Sequence, residues 1–508
     1  MNRKVGILVA IYAAVLAINL DTTIVNVALP TMARDLGAGT TALQWVVDGY
    51  TLAFATLVLA AGSMSDRFGR RPALIVGLLG FAAASVAGAL ATSVGELVAA
   101  RVVMGVFAAL IFPTTLSVIS NAFPDRKERA AALGGWGAVV GVGVAAGPVT
   151  GGALLTHFAW GSVFLALAPL AVVAAVLAGY LVPESRDPRV PPLDLAGLVL
   201  SVAVLSLLTY TIIEAPTRGW GSAWTVGGFL LTATLLGVFV RVERRADHPL
   251  LDVTLFADRR FSAASGAVTI TFFSLAGFIF LITAYFQLIR GYDPLSTGAR
   301  ILPVAVSIAV ASVAGGVLAP RWGTRSVVTT GLLLFGAAMT WIGVSAVDVS
   351  YATVVVPQMV LMGLGMGLVS TPATESILLV LPPARAGVGS AVNDATRELG
   401  ATLGVAVVGS LFSSVFSSRL GSSAFAQLPE SQLANAQESV TTAIGIGQSR
   451  PELLEAARES FMTALHAGTL LVAAVCLLGA AVAAVALPGR GFTPPVAPEA
   501  TLAPAETG

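Results

Sequence analysis

GSMSDRFGRR, from Gly62 to Arg71, lies between two apolar runs near 44–64 and 73–92. Each run is about the 20 residues a helix needs to cross a bilayer core. The turn between them holds one acid, Asp66, and three arginines, Arg67, Arg70 and Arg71. Gly62 and Gly69 permit close backbone approach. The pattern predicts a hairpin of two spanning helices joined on the cytoplasmic face, where basic residues collect. Asp66 can pair with an arginine or sit at a neighbouring helix N-terminus. Two readings stay open: a passive basic anchor, or a latch that holds parts of the molecule together in one state.

Composition extends this reading to the whole chain. Of 508 residues, 56% are hydrophobic and 11% charged, against about 25% charged in soluble domains. A net charge of +1 leaves no electrostatic footprint for nucleic acid. Cys476 is the only cysteine, so no disulfide forms within the chain. No GxxxxGK[ST] string is present, so ATP is not expected to drive the protein. No nucleophile elbow or nucleotide fingerprint appears, and His157, His248 and His466 lack metal-ligand spacing. An enzyme, a metal and a cofactor are therefore not expected.

Fourteen apolar runs are long enough to span, near 5–29, 44–64, 73–92, 95–119, 130–155, 160–182, 195–213, 225–241, 262–289, 298–319, 326–346, 352–380, 390–417 and 464–487. The first run is too long for a signal peptide and is expected to be the first spanning helix. An even count places both termini on one side. With the N-terminus inside, nineteen of the 28 Lys and Arg residues fall in cytoplasmic segments and seven in outer ones. Both termini are thus expected in the cytoplasm, in a multi-pass protein of the inner membrane. Residues 420–460 read as an outer loop with short helices. Pro488 to Gly508 reads as a disordered cytoplasmic tail.

One repeat is visible. GSMSDRFGRR at 62–71 matches GVLAPRWGTR at 316–325, with Pro320 where Asp66 stands. VMGVFAALIFPTT at 103–115 matches LMGLGMGLVSTPAT at 361–374. The offset is eight helices, so two six-helix halves with two helices between them explain it. Such repeats mark secondary transporters. The expected division is 1–185, 186–245, 246–487 and the tail 488–508.

Three further constellations carry chemistry. LDTTIVNVALP, Leu20 to Pro30, puts Asp21 deep in the first helix, at a cost of about 2.5–3.5 kcal/mol on insertion scales. Asp21 serves proton exchange, or it is a structural group facing a cavity with Thr22, Thr23 and Asn26. Arg101, central in the fourth helix, is too expensive to stand unpaired. The fifth helix carries Gly143, Gly147, Pro148, Gly151 and Gly152; the glycines four apart allow close packing and Pro148 a bend. Glu375 follows Thr371, Pro372 and Thr374 in the twelfth helix. In the thirteenth, Asp394 and Glu398 are four apart on one face, with Gly400 and Gly404 expected to continue it. Arg397 lies beside them and neutralises Asp394 if these charges are merely interfacial. Asp48 and Glu214 read as interfacial.

Together these strings resemble the drug/proton antiporters of the major facilitator superfamily, in the branch with fourteen transmembrane helices. The resemblance covers roughly residues 5–487. It implies an all-α membrane bundle of two pseudo-symmetric six-helix halves plus two intervening helices. It implies proton-coupled export of small lipophilic compounds by alternating access, with protons and a small molecule as partners. A dedicated exporter of one natural product and a non-transporting membrane sensor are the alternatives. A monomer is expected. By resemblance, Gly62 to Arg71 is the gating motif, and GxxxGPxxGG is the antiporter motif that acts as hinge and seal. LDxTIVNVALP is the first-helix motif of the fourteen-helix branch. Arg101 takes part in proton transfer, although Met104 stands where the family often has Gln. Related exporters carry two acids at the spacing of Asp394 and Glu398.

Overall fold

The computed structural model describes residues 3–186, 193–380 and 386–489. All regular structure among them is helical. Fourteen helices are long and apolar enough to cross a membrane. They are α1 (Arg3–Leu36), α2 (Thr40–Phe68), α3 (Arg70–Ala89), α4 (Val94–Ala122), α5 (Arg126–His157), α6 (Ser162–Leu181), α7 (Leu195–Arg218), α8 (Ala223–Glu243), α9 (Arg259–Ile289), α10 (Pro294–Trp322), α11 (Thr324–Gly343), α12 (Tyr351–Val380), α13 (Ala386–Gly421) and α16 (Pro451–Ala486). Two short helices, α14 (Glu430–Glu438) and α15 (Val440–Gly447), precede α16. Most of the expected tail, from 490 onward, lies outside the described residues, as do Arg189, Arg385 and Arg490.

Two boundaries differ most from expectation. α1 does not stop near Pro30 but runs on to Leu36 with Pro30 inside it, as membrane helices tolerate when neighbours re-satisfy the freed carbonyl. α16 starts at Pro451, not near 464. Leu453, Ala457, Ser460 and Phe461 are buried there at helical spacing, while Glu452, Glu455 and Glu459 stay exposed. That first part is amphipathic, so an apolar-run reading misses it.

The packing repeats with an offset of eight spans. α1 packs on α5 and α6, α2 on α4, and α3 on α4 and α6. Likewise α9 packs on α13 and α16, α10 on α12, and α11 on α12 and α16. The two sets meet along two seams, α2 with α13 and α5 with α10, each pairing the second helix of one set with the fifth of the other. α7 and α8 pack on each other, and α7 lies against both α2 and α13, covering that seam alone.

The sequence repeat has a physical counterpart. α2 and α10 both end at a glycine of positive φ, Gly69 at 122° and Gly323 at 85°, where a side chain would be strained. After each glycine an arginine bonds a carbonyl near the end of the sixth helix of its set. Arg71 donates to Gly179, and Arg325 Nε donates to Leu487 O at 2.9 Å.

Hydrogen bonds and close packing between the sets concentrate at the end that carries the α1–α2 turn. Gln287 Nε2 donates to Val27 O at 2.8 Å. Gln44 Nε2 donates to the carbonyls of Val405 and Ala406 at 3.2 and 3.1 Å. Gly152 packs on Pro294 and Leu295, and Gly298 on Pro148. Further along α5, Gly134, Gly137 and Gly141 face open space. The bundle is closed at one end and parted at the other.

Candidate functional site

Asp21 and Arg101, 80 residues apart, meet inside the first set of helices. Arg101 Nη1 donates to both carboxylate oxygens of Asp21, at 2.8 and 2.7 Å. Asp21 has no exposed surface and Arg101 only 1%. Arg101 Nε donates to Val46 O at 3.0 Å, and its guanidinium sits 4.3 Å from the centre of the Tyr50 ring. Four helices thus hold one ion pair: α1 the acid, α4 the base, α2 a carbonyl and a ring, and α6 the Phe164 ring, its centre 5.9 Å from the guanidinium. A buried pair holds only if its remaining donors are also satisfied, and here the carbonyl and the ring supply that.

A second cluster lies on α13. Arg397 stands 3.7 Å from Asp394, and its guanidinium lies 4.5 Å from the Phe272 ring of α9. Asp394 Oδ2, Glu398 Oε2 and Arg397 Nε are enclosed without a hydrogen-bond partner. The expectation that Gly400 and Gly404 continue the acid face is corrected: they pack on Thr269 and Phe273 of α9. At 100° per residue those glycines share a face with Arg397, opposite Glu398.

Glu375 joins neither cluster. It is exposed and lies within electrostatic reach of Arg260 at the parted end. Its neighbour Thr374 donates to Asn393 Oδ1 of α13 at 3.0 Å.

The gating segment is a brace in this structure. Asp66 accepts from Arg70 Nε at 2.7 Å. The Arg70 backbone N–H donates to Ser185 O at 2.9 Å, and Gly69 lies against Glu184. Gly62 meets Pro113 of α4, while Arg67 lies 5.8 Å from the Phe68 ring. Among the described residues, these contacts stay within the first set.

The glycine ladder divides its work. Gly143, Gly147 and Gly151 pack on Asn19, Thr23 and Ile24 of α1, where Thr23 Oγ1 also donates to Val144 O at 3.1 Å. Pro148 and Gly152 instead touch α10 of the second set.

Three buried polar residues of α2 were missed or misread. Asp48 is not interfacial: it has no exposed surface, and its Oδ2 lacks a partner. Its apolar run was read from residue 44, whereas α2 starts at Thr40 and α14 packs Glu438 over Gly39, so Asp48 lies under cover. Gln44 ties α2 to α13. Tyr50 stacks on Arg101. A polar pattern at 44, 48 and 51 within one apolar run was the available signal; nothing comparable marked Tyr50. Glu214 instead pairs with Arg218 at 3.3 Å, partly exposed at the end of α7.

The family model described as Major Facilitator Superfamily matches residues 11–405. The chain belongs to the major facilitator superfamily. This superfamily member is 35% identical over 477 residues to the multidrug efflux pump LfrA of Mycolicibacterium smegmatis, covering 93% of this chain and 94% of that one. It is 34% identical to the methyl viologen resistance protein SmvA of Salmonella typhimurium, with 91% and 94% covered. It is equally 34% identical to the tetracenomycin C resistance and export protein of Streptomyces glaucescens, with 80% and 76% covered. Among solved structures, a bacterial homologue of the human lysosomal transporter Spinster, in an inward-facing and unoccupied conformation, superposes with a TM-score of 0.70 at 17% identity. It covers 96% of this chain and 99% of that one, and shows the shared fold.

Proposed function

We propose that this protein is a proton-coupled antiporter that exports small, mostly lipophilic toxic compounds across the cytoplasmic membrane by alternating access. One observation supports coupling above the rest: the Asp21–Arg101 pair, enclosed by four helices in a chain whose relatives are efflux pumps. A scaffold has no need to keep such charges in hydrocarbon, where they are costly. With both termini in the cytoplasm, the closed end is the outer face and the parted end opens inward. A proton arriving from outside then neutralises Asp21 or an acid of α13, weakens its hold on arginine and favours one packing of the halves over the other. Gly62, Asp66, Arg67, Gly69, Arg70 and Arg71 brace the inner end of the first half. Gly143, Gly147, Pro148, Gly151 and Gly152 let α5 turn against α1 and α10. The working units are 1–185, 186–245 and 246–487, in one monomer.

The test is dye efflux from proteoliposomes with and without a pH gradient. Gradient-accelerated efflux supports the reading; equal rates under both conditions overturn it. A second reading, export of a single natural product, is favoured by the similarity to the tetracenomycin C exporter. Protection against one compound in a panel of unrelated toxins selects it, and protection against many selects the broad exporter.

A further inference from the structure

Tyr50 of α2 packs on Arg101 of the first charge cluster and lies within electrostatic reach of Glu398 of the second. It has no exposed surface. Its ring lies 4.3 Å from the Arg101 guanidinium, and its enclosed hydroxyl has Thr22 of α1 as a polar neighbour but makes no well-formed hydrogen bond. Buried tyrosine hydroxyls usually find one, so an orphan needs an explanation.

The register of the α2–α13 seam sets Glu398 at the depth of Tyr50. The two helices run antiparallel, pinned where Gln44 bonds Val405 O and Ala406 O. Tyr50 is six residues beyond Gln44 and Glu398 seven before Val405, which is about 9 and about 10.5 Å along each axis at 1.5 Å per residue. The two therefore lie at one depth, and Glu398 is within electrostatic reach of the phenol. Glu398 Oε2 is itself enclosed and unpartnered. The charged groups facing Tyr50 are Asp21 from α1, Arg101 from α4 and Glu398 from α13. Asp48 lies two residues away on α2, about 200° round the helix.

We propose that Tyr50 is a positioning residue that carries the state of Glu398 in the second half to the Asp21–Arg101 pair in the first. This rests on the antiport reading above. Ionised Glu398 is an acceptor, so the phenol donates to it across the seam and its ring is held at one setting over Arg101. Protonated Glu398 loses that pull, the hydroxyl is released, and the ring's grip on the guanidinium changes. The structure, with both atoms unpartnered, corresponds to the released arrangement.

The experiment uses the full chain in proteoliposomes, loaded with a fluorescent cationic dye. Two rates are measured across a pH series: efflux driven by a proton gradient, and dye exchange without one. Tyr50→Phe keeps the ring on Arg101 and removes only the hydroxyl. Gradient-driven efflux is expected to fall at least about tenfold and to lose its dependence on pH, while exchange changes by no more than about twofold. Glu398→Gln placed on Tyr50→Phe is expected to add nothing further, as for residues acting through one contact. The proposal is overturned by wild-type coupling in Tyr50→Phe, by equal losses in both assays, or by additive effects in the double variant. Absence of gradient dependence in the parent protein overturns the antiport reading itself, and this proposal with it.

Discussion

Asp21 and Arg101 meet at 2.7 and 2.8 Å with their side chains at most 2% exposed, whereas Asp394 and Arg397 stand 3.7 Å apart with Arg397 23% exposed. The first pair is completed by a carbonyl and an aromatic ring from two further helices. The second leaves three enclosed polar atoms without partners. A fully satisfied polar network fixes one arrangement, while a half-satisfied one is costly. The difference separates two tasks that a transporter needs. On the antiport reading proposed above, the α1–α4 pair holds the first half in shape until a proton reaches it. The α13 cluster is unfinished, and a proton, a cation or the Tyr50 hydroxyl can complete it.

The largest effect is expected where the finished pair is broken. Asp21→Asn leaves Arg101 enclosed without its counter-charge, a loss of about 3–5 kcal/mol for buried pairs. Gradient-driven efflux should fall to background, and the thermal melting point in detergent should drop. Asp21→Asn combined with Arg101→Gln removes both charges and should regain most of the lost stability without regaining coupling. Wild-type efflux in the single variant would remove Asp21 from the mechanism.

Gly147→Leu attacks the same pair from behind. α1, which carries Asp21, rests on the glycine ladder of α5, and a side chain at 147 collides with Thr23 and the backbone of Ile24. Overpacking costs about 1–3 kcal/mol or more. The variant is expected to misfold or to lose transport, as judged by expression level and dye efflux. Gly141→Leu, at a position with open space around it, should remain folded and inserted. Equal tolerance of the two would show that the ladder does not support the pair.

The unfinished cluster should respond more mildly and more selectively. Glu398→Gln and Asp394→Asn each keep the size of a carboxylate that has one unpartnered oxygen, so folding should be little changed. Efflux of cations is expected to fall by about tenfold, equivalent to about 1.4 kcal/mol. If the cluster only recognises charge, neutral substrates are spared; if it couples protons, all substrates fall together. Unchanged efflux of both kinds in the double variant would erase the contrast between the two clusters.

What the sequence disclosed of this contrast follows a physical pattern. The membrane class, the fourteen spans and the repeat were legible because hydrocarbon requires long apolar runs and internally bonded helices. Asp21, Arg101, Asp394 and Glu398 were each legible as charges that such runs seldom contain. Their partnerships were not, because helix packing across 80 residues decides them, as with Asp21 and Arg101. Tyr50 was hidden because a tyrosine does not interrupt an apolar run. Asp48 was misread because depth depends on where a helix begins and on what covers its end. Glu375 was legible as a charge in an apolar run, but its separation from both clusters was not, because packing decides that its neighbour Thr374 is the one to bond Asn393.

The smallest effects are expected at the parted end. Asp66 and Arg70 form a partly exposed pair four residues apart, worth a few tenths of a kcal/mol, about 0.3–0.5. Asp66→Asn should therefore leave stability unchanged. Any effect on transport must come from another conformation, in which Asp66 reaches beyond its own turn as the halves close at that end. The expected result is slower efflux with unaltered substrate binding, read as a lower turnover rate at constant affinity for the dye. Pro320 occupies the matching position in the second half and offers no acid, so Pro320→Ala should change neither quantity. Reciprocal losses, with Pro320→Ala slowing the cycle as much as Asp66→Asn, would mean that both turns act only as braces on α6 and α16. The first half would then owe its distinct role to the Asp21–Arg101 pair alone.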